Sequence, residues 1–127
     1  MKKFLILLAM LSIAFSAYTQ SNGAHLDAEA FKAAIDKDDA LLLDVRTPAE
    51  FATGHIEGAA NEDWLAGDLL KDVSGIDKTK PVLLYCAVGG RSGKAMAAMI
   101  EAGFTDVCDL KGGFTAWEAD KLPVISQ

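Results

Sequence analysis

The chain is poor in the residues that build metal and redox centres. Its 127 residues hold two cysteines and two histidines. Cys86 and Cys108 do not form a Cys-x-x-Cys pair, and His25 and His55 are not clustered with them, so neither a zinc site nor a dithiol redox motif is supported. Basic residues are also scarce: 12 Lys and Arg stand against 18 Asp and Glu, a formal charge of −6. Such a chain has no general attraction for nucleic acid or anionic membranes, so any anion it handles must meet a local positive field. Internal repeats and low-complexity tracts are missing, and the length allows one domain.

What is present begins at the N-terminus. Lys2 and Lys3 precede the run "FLILLAMLSIAF", which falls short of the roughly 20 residues a membrane-spanning helix needs. Small and polar residues follow, completing the plan of a secretory signal peptide. Residues 1–20 are therefore expected to be a signal, with cleavage after Ala14-Phe15-Ser16 or after Ala17-Tyr18-Thr19. No cysteine stands near that region, which argues against a lipid anchor. Loss of Lys2 and Lys3 removes two positive charges and takes the formal charge from −6 to −8. The expectation is an exported protein, periplasmic or extracellular, with no stable membrane association after cleavage. An export route is compatible with a Cys86–Cys108 disulfide.

Residues 21–25 read as a linker, and 26–127 as the domain. "DAEAFKAAIDK" predicts a helix with Asp27 as N-cap and Ala30, Phe31, Ala34 and Ile35 on one face. "ALLLDV" is a continuous apolar run of the kind found in strands covered on both sides. "TPAEFATG" predicts a short helix: Thr47 caps it, Pro48 takes the first helical position, Glu50 completes a capping box and Gly54 ends it. "HIEGAANED" reads as loop and short strand, and "DWLAGDLLKDVSG" as a weak helix. "PVLLY" is a second buried strand, running straight into Cys86. A helix from Arg91 or Ser92 to Gly103, the strand "TDVCDL", a "KGG" turn and a helix "FTAWEAD" complete the chain. Strands alternating with helices through short connections predict an α/β fold: an open, mainly parallel central sheet with helices on both faces.

In such a sheet, ligands bind beyond the carboxyl ends of the strands. Cys86 stands at that edge, at the head of the loop "CAVGGRS" that leads into a helix. Gly89 and Gly90 tolerate the backbone angles that turn amides inward, and a helix N-terminus favours negative charge. A cysteine at the centre has its thiol pKa lowered and needs no separate general base. Arg91 adds a fork of donors suited to a tetrahedral oxyanion, and Lys94, one turn on, adds charge near the mouth. Thiolate, amide nest and arginine together suit attack on a small dianion that carries a transferable group.

These stretches resemble the single-domain rhodaneses, which are sulfurtransferases. "LLLDVRTPAEFATGHIEGAAN" is similar to the family's first signature, "YCAVGGRS" to its active-site pattern Cys-x-x-Gly-x-Arg-Ser, and "LKGGFTAW" to its closing motif. The resemblance runs from about Leu26 to Pro123 and implies a rhodanese-like domain. Rhodaneses carry a six-residue loop, whereas the related dual-specificity phosphatases and arsenate reductases carry Cys-x5-Arg. Cys86 to Arg91 spans six residues, and Tyr85 replaces the histidine usual before the phosphatase cysteine.

By that resemblance Cys86 is the nucleophile, and Ala87, Val88, Gly89, Gly90, Arg91 and Ser92 bind the donor or the persulfide. The implied partners are a small anionic donor such as thiosulfate, a thiol or cyanide acceptor, and a thioredoxin-like reductant as a further candidate; no cofactor or metal is implied. A rhodanese-like redox or binding module without thiosulfate activity stays open as the alternative, followed by arsenate reductase or phosphatase-type chemistry, which the loop length disfavours. Ser92 is expected to cap the helix and donate to Cys86. Arg46, Lys94 and Lys111 are auxiliary candidates: Lys111 follows a strand on the active edge, and Arg46 either binds substrate or pairs with Glu50 or Asp44. Asp44 reads as a loop organiser, His55 as a structural hydrogen-bonding residue and Trp117 as core. Trp64 fits either a pocket mouth or a partner surface. Cys108, flanked by Val107 and Leu110, reads as a buried inert thiol, with a resolving cysteine as its rival.

Overall fold

A computed structural model describes residues 22–37 and 39–126. The expected signal segment, residues 1–20, lies outside the described residues. Among those described, no helix is long and apolar enough to cross a membrane.

Five strands form one sheet: β1 (Ala24–Leu26), β2 (Leu41–Asp44), β3 (Ala60–Asn61), β4 (Val82–Tyr85) and β5 (Val107–Leu110). Their order is β1-β5-β4-β2-β3, and every pair is parallel. Among the described residues five α-helices accompany them: α1 (Ala28–Lys37), α2 (Pro48–Thr53), α3 (Leu69–Asp72), α4 (Gly90–Glu101) and α5 (Gly113–Ala119). The predicted α/β architecture is thus realised, with a sheet that is wholly rather than mainly parallel.

Alternation along the strands divides the core in two. Val82, Leu84 and Cys86 pack with Leu69 and Val73 around α3 and with Ala95, Met96 and Met99 of α4. Leu83 and Tyr85 face the other way, against Phe31 of α1 and Phe114 and Trp117 of α5. β4 is buried at all four positions, as its unbroken apolar run predicts for a central strand covered on both faces. Cys108 lies in the α1/α5 cluster and Cys86 in the α3/α4 cluster, so the sheet stands between the two sulfurs. That geometry removes the basis for a Cys86–Cys108 disulfide or for direct resolution of one by the other.

Two segments differ from the sequence expectation. Ala24 and His25, inside the expected linker 21–25, belong to edge strand β1, which pairs with β5 in the register Ala24↔Cys108, His25↔Asp109 and Leu26↔Leu110. Three residues without a β-branched side chain carry almost no local strand signal; the pairing comes from β5. The predicted weak helix over 63–75 is instead a 3-10 turn, Trp64–Ala66, followed by α3. Gly67, in the left-handed region at φ 81°, separates them.

The connectivity positions the site. From β2 the chain moves outward to β3, whereas from β4 it moves the opposite way to β5. The crevice of an open α/β sheet forms where the connections diverge. Here that point lies between the carboxyl ends of β2 and β4, which are followed by Arg46 and Cys86.

Candidate active site

Strand β4 delivers Cys86 to the sheet edge, 1% exposed. The loop then turns at Gly89, whose φ of 111° is disfavoured for any side-chain-bearing residue. Gly89 is the N-cap of α4, and the helix starts at Gly90, one or two residues earlier than the sequence suggested. The conformational need for glycine falls on Gly89; Gly90 is not among the positive-φ glycines and has open space where a Cβ would stand.

The loop's outward carbonyls are pinned from behind. Phe114 N–H donates to Cys86 O at 2.8 Å and Thr115 N–H to Ala87 O at 3.1 Å, both from the first turn of α5. Gly113, at φ 60°, makes this approach possible: a Cβ there would lie 2.5 Å from the carbonyl oxygens of both Ala87 and Cys86. The "KGG" turn is therefore a clamp that holds the loop's carbonyls away from the sulfur. With the carbonyls turned outward, Gly89 N–H donates to Cys86 Sγ at 3.1 Å.

Burial pushes the Cys86 thiol pKa up, but the Ser92 side chain and the backbone amides of Ser92, Gly89 and Val88 outweigh it and bring the pKa below its ordinary value. Val88 itself is exposed at the loop tip. The loop is thus built to favour a sulfur anion, as its sequence predicts.

Two loop residues behave differently from expectation. Ser92 is not the helix cap; it stands three positions beyond Gly89, fully buried, and its hydroxyl donates 2.8 Å to Asp109 Oδ2. In the thiol form Cys86 Sγ–H is the donor to Ser92 Oγ, at 3.5 Å, the reverse of the expected polarity. Arg91 does not present an unoccupied fork. Its Nη1 and Nη2 donate to Glu50 Oε1 at 2.7 Å and Oε2 at 3.0 Å. Glu50 also serves its capping box, taking Thr47 N–H at 3.2 Å. The Arg91 guanidinium, with burial opposing and Thr47 assisting, pulls the Glu50 carboxyl down to about 2.

Arg46 is buried and paired with Asp44 rather than Glu50. Its Nε donates to Asp44 Oδ1 at 3.0 Å and its Nη2 to Asp44 Oδ2 at 2.7 Å and to Gly54 O at 2.6 Å. The guanidinium lies 4.2 Å from the Phe114 ring centre. These contacts hold the β2 loop in the structural role. Lys94 and Lys111 are exposed, and the structure gives neither a contact with Cys86. His55 is structural: its Nδ1 lies 2.9 Å from Phe51 O and its ring stacks on Phe51. Trp117 is core, with its Nε1–H on Pro123 O at 2.9 Å. Trp64 is half-buried against the α3/α4 cluster.

Two features of the site escape local sequence reading. The Glu50–Arg91 bridge joins residues 41 apart, and nothing in a capping box announces a second partner for its glutamate. Asp109, 1% exposed, sits in a strand that otherwise reads as apolar, and a buried acid in such a strand was the one available sign of a polar network.

The loop sets a buried cysteine below inward amides at the edge of an open parallel sheet. The family model for the rhodanese-like domain matches residues 27–120, and the chain belongs to that family. It is 39% identical over 92 residues to a sulfurtransferase of Allochromatium vinosum, covering 72% of this chain and 83% of that one. It is 34% identical over 85 residues to the thiosulfate sulfurtransferase GlpE of Pseudoalteromonas translucida, covering 67% and 79%. Among solved structures, the rhodanese-like domain of an Anabaena sp protein superposes with a TM-score of 0.73 at 29% identity, covering 81% of this chain and 79% of that one.

Proposed function

We propose that the protein is a sulfurtransferase that carries sulfane sulfur on Cys86 as a persulfide. The observation that carries the reading is the sulfur's setting: Cys86 Sγ accepts the Gly89 amide inside a six-residue Cys-x4-Arg loop whose carbonyls are held outward by α5. The sulfurtransferase names of the relatives support the same chemistry.

With thiosulfate as donor, the Cys86 thiolate attacks the outer sulfur. A new S–S bond forms to Cys86, the sulfur–sulfur bond of thiosulfate breaks, and sulfite leaves with the bonding pair. The persulfide anion takes the place of the thiolate charge beside the inward amides, which favour negative charge. An acceptor thiolate or cyanide then attacks the outer sulfur and returns Cys86 as thiolate. Arg91, held by Glu50, still has three of its five N–H groups for the donor's oxygens. The charged, apolar and small succession in residues 1–20 favours action outside the cytoplasm.

The test is the intact mass of the reduced protein before and after thiosulfate, beside Cys86→Ser. The expected result is the gain of one sulfur atom, reversed by cyanide and absent from the variant. No gain in folded, reduced protein, or an equal gain in Cys86→Ser, would refute the assignment.

A further inference from the structure

A hydrogen-bonded chain runs from the nucleophile to the surface. Cys86 Sγ lies 3.5 Å from Ser92 Oγ, and Ser92 Oγ donates to Asp109 Oδ2 at 2.8 Å. The other oxygen, Asp109 Oδ1, lies 2.5 Å from His25 Nδ1. Cys86, Ser92 and Asp109 are all buried, whereas the His25 side chain is 60% exposed. The fold assembles the chain from β1, β5, α4 and the loop that follows β4. Parallel register sets His25 of β1 beside Asp109 of β5, and alternation puts Asp109 on the side of Val107, facing α4, where Ser92 occupies the first turn.

Ser92 has one hydroxyl proton and cannot give it to two acceptors. It has committed that proton to a carboxylate, with Gly89 O at 3.3 Å as the weaker option, and so turns a lone pair towards the sulfur. A lone pair there accepts from a thiol, so the Ser92 side chain lowers the Cys86 pKa only when its O–H turns to the sulfur. When Cys86 loses its proton to water, the anion gains most if the Ser92 O–H swings from Asp109 to Sγ. That swing leaves Asp109 with one donor fewer, and the Nδ1–H of His25 offsets part of the loss.

We propose that Asp109, steadied by His25, is a positioning residue: it sets the direction of the Ser92 hydroxyl and through it the balance between thiol and nucleophilic thiolate at Cys86. The inference rests on Cys86 being the nucleophile assigned above. The other charges around the chain are separately placed. Arg91, paired with Glu50, interacts electrostatically with Cys86 and Asp44. Leu84 of β4 is the apolar register partner of Asp109, and Lys111 and Lys94 are exposed.

The experiment is the pH dependence of Cys86 alkylation by iodoacetamide, read by peptide mass on the full chain. The variants are Asp109→Asn, His25→Ala, Ser92→Ala, and Asp109→Asn combined with Ser92→Ala. Asp109→Asn keeps the shape but removes the negative charge and weakens the acceptor, so alkylation below the wild-type midpoint should be about threefold faster and the midpoint should fall. His25→Ala leaves Asp109 less compensated and should move the midpoint the other way by a smaller amount. Without the Ser92 hydroxyl, the effect of Asp109→Asn should shrink, because its route to the sulfur is gone.

An unchanged midpoint in folded Asp109→Asn, or an equal shift with and without Ser92, overturns the proposal. Should Asp109→Asn fail to fold, exposed His25→Ala carries the test, and no shift there overturns it. A parallel thiosulfate-uptake assay on the wild-type protein separates the two readings. Shifts in alkylation without sulfur uptake leave the positioning role standing and remove thiosulfate transfer; uptake without shifts does the reverse.

Discussion

Two arginines stand on neighbouring loops at the same edge of the sheet, and each is paired with a carboxylate. Arg46 follows β2 and is 4% exposed, with its partner Asp44 at 0%. Arg91 lies in the first turn of α4 with its side chain 24% exposed, and its partner Glu50 is 35% exposed. Arg46 is surrounded: carboxylate, Gly54 carbonyl and the Phe114 ring leave it fixed. Among the described residues Glu50 is the hydrogen-bond partner that orients Arg91, and both side chains are partly exposed. Residue type and pairing are the same, yet burial makes one pair part of the frame and leaves the other available to a ligand. A guanidinium can serve a ligand only where it is not sealed in the core.

Breaking the buried pair should have the largest effect. Arg46→Ala leaves the Asp44 carboxylate uncompensated in the core, a change that costs about 3–5 kcal/mol. Denaturant unfolding measures it, and a loss below about 1 kcal/mol would show that Asp44 finds other partners and that the contrast with Arg91 is overstated. Arg91→Ala should reverse the pattern. Stability should change by about 1 kcal/mol or less, since the pair is partly solvated. Sulfur uptake from thiosulfate should fall about tenfold to a hundredfold, the cost of losing charged hydrogen bonds to the donor. Single-turnover rates against thiosulfate concentration check this, and an unaffected rate would leave Arg91 as a purely structural latch.

The sequence announces whatever is local. The buried strand β4, the Thr47–Glu50 capping box and a thiolate-favouring loop headed by Cys86 follow from adjacent residues and appear in the structure. What stayed hidden depends on contacts between distant segments. β1 exists because β5 offers an edge to a nondescript tripeptide. Gly113 matters because two carbonyls 26 residues or more upstream approach its Cα. Ser92 reads as a helix cap until the register of β5 supplies Asp109 as the stronger acceptor. Arg91 reads as an open fork because Glu50 is already accounted for by its own helix. In each case the local chemistry is legible in the sequence and the competition for it from a distant segment is not.

The subtlest change sharpens the comparison from the carboxylate side. Glu50→Gln keeps an oxygen for the Thr47 amide but removes the charge that holds Arg91. Glu50 titrates at about 2 in the fold against an ordinary 4.5, so its folded pKa is depressed. A depressed carboxylate contributes stability above its unfolded pKa and loses it as pH falls through the folded value. The stability gap between wild type and Glu50→Gln should therefore be constant above about pH 4.5 and close towards about pH 2. Its size should be about 1 kcal/mol or less, because both partners are solvated. At the site the sign should be opposite. A released guanidinium with no competing carboxylate should capture thiosulfate more readily, lowering half-saturation by about fivefold or less. If half-saturation rises instead, Glu50 aims Arg91 at the donor more than it competes for it, and the exposed pair is closer in kind to the buried one than its solvation implies.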